Sequence, residues 1–196
     1  MNHPLRIMSR RLLMLCTAVL IGFFSAAAFA QDETTHITLG TVSGLPKAEV
    51  LIPVMLTPFP SDLKVGEIKA SISFDTQSVT FLRAEKSFLL DGVGAGFQSE
   101  QHPDPSKPGR TIVDITVATK GSPRLALREG LVLTLLFRIN ENAAAGSTIE
   151  VAVVNPSASD LSDPPQPIKP VTGKNGGIEV IAPEQNPYVP CFFFTH

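Results

Sequence analysis

A long β-strand is predicted by the stretch Gly130-Leu131-Val132-Leu133-Thr134-Leu135-Leu136-Phe137-Arg138-Ile139. Successive side chains of a strand point to opposite faces, and five apolar residues occupy every second position here. We therefore expect one wall of a core to be lined by Leu131, Leu133, Leu135, Phe137 and Ile139. Polar and small residues follow at 140–147, and a second alternation begins after them. A long strand, a turn of small residues and another strand favour an all-β sandwich.

Seven further segments show strand patterns and are separated by turn-forming residues. They span residues 36–42, 48–56, 67–74, 79–85, 110–118, 148–154 and 177–181. The sequence thus predicts eight or nine antiparallel strands, and segments 87–109 and 155–174 are predicted to be irregular. Pro53 lies inside a strand pattern, and its missing N–H predicts a sheet edge or a bulge there. Little helix is expected, because no long stretch combines helical periodicity with capping residues.

Residues 1–30 have the pattern of an export signal. A basic start with Arg6, Arg10 and Arg11 precedes an apolar run at 12–24 and the small-x-small site Ala28-Phe29-Ala30. The run is shorter than the roughly 20 apolar residues that a membrane-spanning helix needs. We expect cleavage before Gln31, export, and no membrane span afterwards. Residues 183–196 contain three prolines and are predicted to form an irregular tail.

Composition limits the classes of partner. Cleavage would leave 166 residues, enough for one domain with a substantial core. The thirteen basic residues beyond the leader face eighteen acidic ones, which gives a formal charge of −5. A mildly acidic surface argues against nucleic acid and anionic membranes. Cys191 would be the single remaining cysteine, so no internal disulfide is expected.

Seven blocks of the sequence together resemble a bacterial cohesin domain. They are Leu39-Gly40-Thr41-Val42-Ser43-Gly44, residues 48–56, Ser73-Phe74-Asp75-Thr76-Gln77-Ser78-Val79-Thr80-Phe81, residues 109–118, residues 130–139, Ala143-Ala144-Ala145-Gly146-Ser147 and Gly176-Gly177-Ile178-Glu179-Val180. Their order and spacing carry the resemblance, which covers residues 37–181 and places the cohesin-like domain at 31–182.

The resemblance implies a jelly-roll β-sandwich in a superfamily that also contains cellulose-binding modules. It also implies a non-catalytic role in holding dockerin modules within extracellular assemblies that degrade polysaccharides. Two other functions stay open: a carbohydrate-binding module of the same superfamily, and a generic adhesion or structural domain of the cell envelope.

Direct sugar binding is disfavoured, because flat sugar-binding faces need exposed aromatic rings. The chain has no Trp, and its one Tyr is Tyr188 in the tail. The pattern places Phe74, Phe81 and Phe137 at inward strand positions, where they pack in the core. Loop positions hold Phe59, Phe88 and Phe97, which we expect to anchor loops to the core.

No catalytic, cofactor or metal site is predicted. Beyond the leader the histidines are His36, His102 and His196, without a nucleophile at motif spacing. The run Gly92-Val93-Gly94-Ala95-Gly96 lacks the Lys and Ser/Thr ending of a phosphate loop. Neither the pair Asp160 and Asp163 nor the pair Glu100 and Asp104 forms a calcium ligand series.

A protein-binding face remains, formed by outward-pointing strand residues. The candidate residues are Lys69, Ser71, Ser73, Asp114, Thr116, Val132 and Leu136. The two apolar members could form an interface hot spot, and the alternative is that segment 87–109 covers them. Cys191, beside Phe192-Phe193-Phe194, could form an intermolecular disulfide or dock on the sandwich, or it could have no role.

Overall fold

The computed structural model describes residues 33–182, which form twelve strands and one 3₁₀ helix. The helix spans Phe88–Val93, between the fifth and sixth strands. The strands are β1 Thr35–Leu39, β2 Thr41–Gly44, β3 Glu49–Thr57, β4 Val65–Asp75, β5 Val79–Lys86, β6 Ala95–Pro103, β7 Arg110–Thr119, β8 Gly130–Ile139, β9 Thr148–Asp160, β10 Pro167–Ile168, β11 Val171–Lys174 and β12 Gly176–Val180. The predicted all-β sandwich is confirmed.

The strands form two sheets. The five-stranded sheet has the order β11-β1-β3-β8-β5, and the seven-stranded sheet has the order β2-β12-β9-β4-β7-β6, with β10 paired to β9. Neighbouring strands are antiparallel except for two pairs: β1 with β11, and β2 with β12. The predicted antiparallel pairing holds for the other neighbouring strands, and these two edge pairs are the exceptions.

The core lies between the two sheets and contains the predicted aromatic residues. The ring centroid of Phe137 lies 5.0 Å from that of Phe74 and 5.5 Å from that of Phe81. Both pairs are edge-to-face, an arrangement that aromatic quadrupoles favour. Four members of the predicted row on β8 are fully buried: Leu133, Leu135, Phe137 and Ile139. Leu131, at the start of the row, is half-buried.

The predicted count of eight or nine strands is too low, because segments 87–109 and 155–174 contain regular structure. The first forms the 3₁₀ helix and β6, and the second extends β9 and forms β10 and β11. β6 is an edge strand whose exposed residues Gln98, Ser99, Glu100 and Gln101 show no apolar alternation. Its pairing with β7, rather than its own side-chain pattern, makes it a strand.

The first predicted strand is divided between the two sheets at Gly40. β1 ends opposite Val54, and the Gly40 N–H donates to the carbonyl of Pro53 before the chain enters β2 in the other sheet. Pro53 is therefore in a central strand, and the predicted sheet edge is wrong. A bulge follows directly at Val54 and Met55. The missing N–H of Pro53 costs no pairing because β1 leaves the sheet on that side.

Two predicted segments, the export signal at 1–30 and the tail at 183–196, lie outside the described residues. Among residues 33–182 there is no helix of the length and hydropathy needed to cross a membrane.

Candidate protein-binding face

Four neighbouring strands of the seven-stranded sheet, β9, β4, β7 and β6, present a continuous outer face. Their registers align outward residues in three rows of four. We call these twelve residues the polar sheet face: Ser157, Lys69, Thr116 and Gln98; Val154, Ser71, Asp114 and Glu100; Ala152, Ser73, Ile112 and His102. The inward neighbours Val113, Ile115 and Val117 are buried in the core, which fixes the opposite side chains on the outside.

Five of the seven candidate residues come together on this face: Lys69, Ser71, Ser73, Asp114 and Thr116. Strand alternation was sufficient to predict them, because their inward neighbours are all aliphatic or aromatic. Sequence reasoning missed His102, Glu100 and Val154. The outward alternation of Ala152 with Val154 was a usable signal, whereas β6 offered none.

The inclusion of Val132 and Leu136 in this face is wrong. Both lie on β8 in the opposite sheet, and their exposed fractions are only 2% and 5%. Val132 belongs to the core cluster, at the point where the β3–β8 register shifts. The Ser87 N–H also donates to its carbonyl, so the start of segment 87–109 continues the pairing of β5 along that part of β8. Leu136 pairs with Leu51 and Arg83.

Asp114 joins three strands at the centre of the polar sheet face. Its carboxylate accepts a hydrogen bond from the Ser71 hydroxyl at 2.5 Å, and its other oxygen lies 2.8 Å from Nε2 of His102. Hydrogen bonding by Ser71, then by His102, lowers the pKa of Asp114. Nδ1 of His102 lies 3.1 Å from the carbonyl of Pro103. Both ring nitrogens therefore face acceptors, and these contacts, first with Asp114, raise the pKa of His102.

Arg110 covers one candidate residue. Its Nε donates to the hydroxyl of Ser73 and its Nη2 donates to the Ser73 carbonyl, both at 2.9 Å. Ser73 points outward as predicted, but it is buried beneath the guanidinium. The expectation that Ser73 is exposed on this face is therefore wrong, and a partner would contact Arg110 at this position.

A bulge in β9 divides the polar sheet face into two hollows. The partner of Lys69 is Ser157, but the partner of Ser71 is Val154, so two residues bulge against Ala70. One of them, Asn155, has a φ of 50° and lines both hollows. The hollow beside Arg110 and Glu150 has a volume of about 430 Å³, and the one beside Asp114 has about 350 Å³.

The three phenylalanines that were predicted to anchor loops differ in their burial. Phe97 packs against the core from β6, as expected of an anchor. Phe59 is partly exposed, and 76% of Phe88 is exposed. The prediction that Phe88 anchors its loop to the core is therefore wrong.

Asp160 and Asp104 each accept hydrogen bonds from residues of their own loop. The Asp160 carboxylate accepts hydrogen bonds from the backbone N–H groups of Ser162 and Gln166, at 3.0 and 2.8 Å. Asp104 accepts from the backbone and the hydroxyl of Ser106. These contacts, first with Gln166 and with Ser106, lower the pKa of Asp160 and Asp104 respectively. In the part of the chain that the structure describes, no three His, Cys, Asp or Glu residues gather as a metal site.

A comparison with known protein families finds one family model that matches the whole sandwich. The model of the cohesin domain family matches residues 35–180, from the first described strand to the last. The chain belongs to the cohesin domain family. The resemblance based on the seven sequence blocks is thereby confirmed. None of the curated protein sequences matches this cohesin.

Several solved cohesins are similar to this one. CaCohA2 of Clostridium acetobutylicum, solved in complex with the dockerin CaDoc0917, is 26% identical, with a TM-score of 0.58 over 75% of this chain and 99% of that one. The third cohesin of ScaC from Acetivibrio cellulolyticus, in complex with the ScaB dockerin, is 21% identical, with a TM-score of 0.61 and coverage of 76% and 100%. A non-cellulosomal cohesin of the archaeon Archaeoglobus fulgidus is 15% identical, with a TM-score of 0.56 and coverage of 76% and 92%. At these identities the last two show the fold alone.

Proposed function

We propose that this cohesin is a non-catalytic module that binds a dockerin on the polar sheet face. The observation that carries the proposal is the continuous four-stranded surface. On this surface the apolar residues Ile112 and Val154 are half-buried and surrounded by polar side chains. Apolar anchors surrounded by hydrogen-bonding residues are the usual composition of a protein interface. Family membership and the dockerin complex of CaCohA2 support the choice of partner.

The wider setting is part of the same proposal. We infer export through the leader at 1–30, a binding domain at 31–182, and a place in an extracellular or cell-surface assembly that degrades polysaccharides. The leader pattern supports export, and the family supports the assembly. Amino-terminal sequencing of the exported protein should begin at Gln31, and a start at Met1 would contradict the processing.

A pair of threonine variants tests the binding face. Thr116→Lys places a long cation in the middle of the polar sheet face, whereas Thr57→Lys makes the same change at an exposed position of β3 in the other sheet. The full chain and both variants would be titrated with each dockerin module encoded in the source genome. We expect at least one dockerin to bind, Thr116→Lys to weaken it about tenfold or more, and Thr57→Lys to leave it unchanged.

Two outcomes would refute the proposal. If no dockerin bound, a dockerin would be excluded as the partner. If the two lysine substitutions weakened binding equally, the polar sheet face would be excluded as the binding site. Depletion of the chain by insoluble cellulose, chitin or xylan would favour the carbohydrate-binding alternative.

A further inference from the structure

A second surface, on the opposite side of the sandwich, is apolar. At the centre of the five-stranded sheet, β3 presents Leu51, with 49% of its side chain exposed, and Met55, with 36% exposed. Pro53 lies between them, and β8 pairs Leu136 with Leu51 and Leu131 with Met55. We call the four residues Leu51, Pro53, Met55 and Leu131 the aliphatic patch, of which the buried Leu136 is not a member. Two exposed aliphatic side chains on a central strand are unlike the polar sheet face, where lysine, serine and acidic residues occupy the exposed positions.

Charged pairs border the aliphatic patch. Arg138 donates to Glu49 at 2.6 Å, and Arg83 donates to Glu85 at 2.7 Å. An apolar centre with a polar border is the composition of a docking surface.

The described chain ends at the end of the sandwich where β3 begins. The Ile181 N–H donates to the carbonyl of Gly44, and the Lys47 N–H donates to the carbonyl of Ile139, each at 2.9 Å. β3 begins two residues later, at Glu49. Ile181 therefore lies near the start of the strand that carries Leu51.

The sequence after residue 182 contains an apolar and aromatic stretch that suits an aliphatic surface. Residues 183–187 are mostly polar or proline, and they are followed by Tyr188, Val189, Pro190, Cys191 and Phe192-Phe193-Phe194. An extended chain covers about 3.3 Å per residue, so the ten residues from 182 to Phe192 reach up to about 33 Å. The strand from Glu49 to Met55 is about 20 Å long. The aromatic residues can thus reach the whole patch.

We propose that residues 188–194 dock on the aliphatic patch of their own chain. The tether keeps the two apolar surfaces at a millimolar effective concentration, which favours this contact over contact between chains. Docking removes Leu51, Met55 and three phenylalanines from water and leaves the polar sheet face free. The proposal does not depend on dockerin binding, and its test contains no dockerin.

Disulfide trapping tests the contact, with Cys191 as a natural reporter. In the full chain carrying Cys16→Ser, the substitution Met55→Cys introduces a thiol in the patch, and Thr116→Cys introduces one on the opposite face as the control. In a glutathione redox buffer we expect at least tenfold more intrachain disulfide from Met55→Cys, measured by peptide mass spectrometry. Adding F192S, F193S and F194S together should reduce that yield to the level of the control.

Equal yields from the two positions would overturn the proposal. Disulfide-linked dimers from Met55→Cys, without the intrachain product, would overturn it in favour of a second copy on the patch.

A second measurement leaves the sandwich unaltered. Met55 is the only methionine after residue 30, so the rate of its oxidation by hydrogen peroxide reports on coverage of the patch. We expect Met55 to oxidise at least three times faster in the chain with F192S, F193S and F194S than in the parent chain. Identical rates would refute docking even if the cysteine variants failed to fold.

Discussion

His102 Nε2 lies 2.8 Å from Asp114 Oδ2, a contact that joins the edge strand β6 to β7 on the polar sheet face. Glu100 pairs with Asp114 in the same register and adds a second negative charge near the imidazole. Because the His102 pKa is raised, its contribution to folding is present below about pH 6.5 and is lost as the pH rises through the folded-state pKa. The lowered pKa of Asp114 gives a contribution present above about pH 4 and lost as the pH falls through its own folded-state value.

We predict that His102 titrates above the ordinary histidine value of about 6.5. Asp114→Asn should lower the pKa of His102, because it removes the acceptor that contributes most. Glu100→Gln is the control and should lower it less, since Glu100 contributes least. The measurement is a histidine NMR titration of the three proteins. An unchanged His102 pKa in Asp114→Asn would show that the contact does not persist in solution.

We predict that the three-ring cluster is a main source of stability. Phe137→Ala removes a fully buried ring that contacts Phe74 and Phe81, and should lower the free energy of unfolding by about 3–5 kcal/mol. Phe88→Ala makes the same change at an exposed ring and should cost less than about 0.5 kcal/mol. Urea unfolding of both variants gives the comparison. Similar losses would place Phe88 in packing that the structure does not contain.

We predict that the bulge in β9 depends on the left-handed backbone of Asn155. Its φ of 50° is tolerated by asparagine and glycine and disfavoured for other residues. Asn155→Ala should therefore lower the free energy of unfolding by about 1 kcal/mol, and Asn155→Gly should change it by half as much or less. Thermal unfolding of the two variants is the measurement. Equal stability of alanine and glycine at this position would contradict the backbone explanation.

We predict that Gly176 is required for the crossing of the chain between sheets. A Cβ at this position would lie 2.2 Å from the carbonyl oxygen of Gly40 and 2.7 Å from Cβ of Leu39. Gly176→Ala should therefore destabilise the sandwich by about 1–3 kcal/mol. Gly92→Ala is the control, because no atom lies within 4 Å of its added Cβ, and it should be nearly neutral. A neutral Gly176→Ala would mean that the two segments are farther apart than described.

The sequence predicted the members of the polar sheet face better where a strand has one buried side. Lys69, Ser71, Asp114 and Thr116 alternate with aliphatic residues that enter the core, so their outward direction followed from periodicity alone. Leu136 has the same alternation on β8, yet its outward side is covered by neighbours from β3 and β5. Periodicity gives the side of a strand, whereas coverage of that side depends on pairing partners far away in the sequence.

The side-chain pattern also did not predict those strands that exist only because they pair with a neighbouring strand. β6 carries mostly exposed polar residues and is held by hydrogen bonds to β7 at the sheet edge. β11 and β2 have four residues each, and both form parallel pairs with strands more than 100 residues away in sequence. Such segments have no pattern of their own, because their conformation comes from the neighbouring backbone.

By itself, the sequence determined the all-β class, the aliphatic and aromatic rows of the core, and membership of the cohesin family. Those properties depend on side chains that alternate within one strand or recur at fixed spacing. Only the tertiary structure decided which strands share a sheet, that Arg110 covers Ser73, and that Asp114 joins Ser71 to His102. These contacts join residues that are 37, 43 and 12 positions apart in the sequence, and periodicity within one strand does not specify which strands pair.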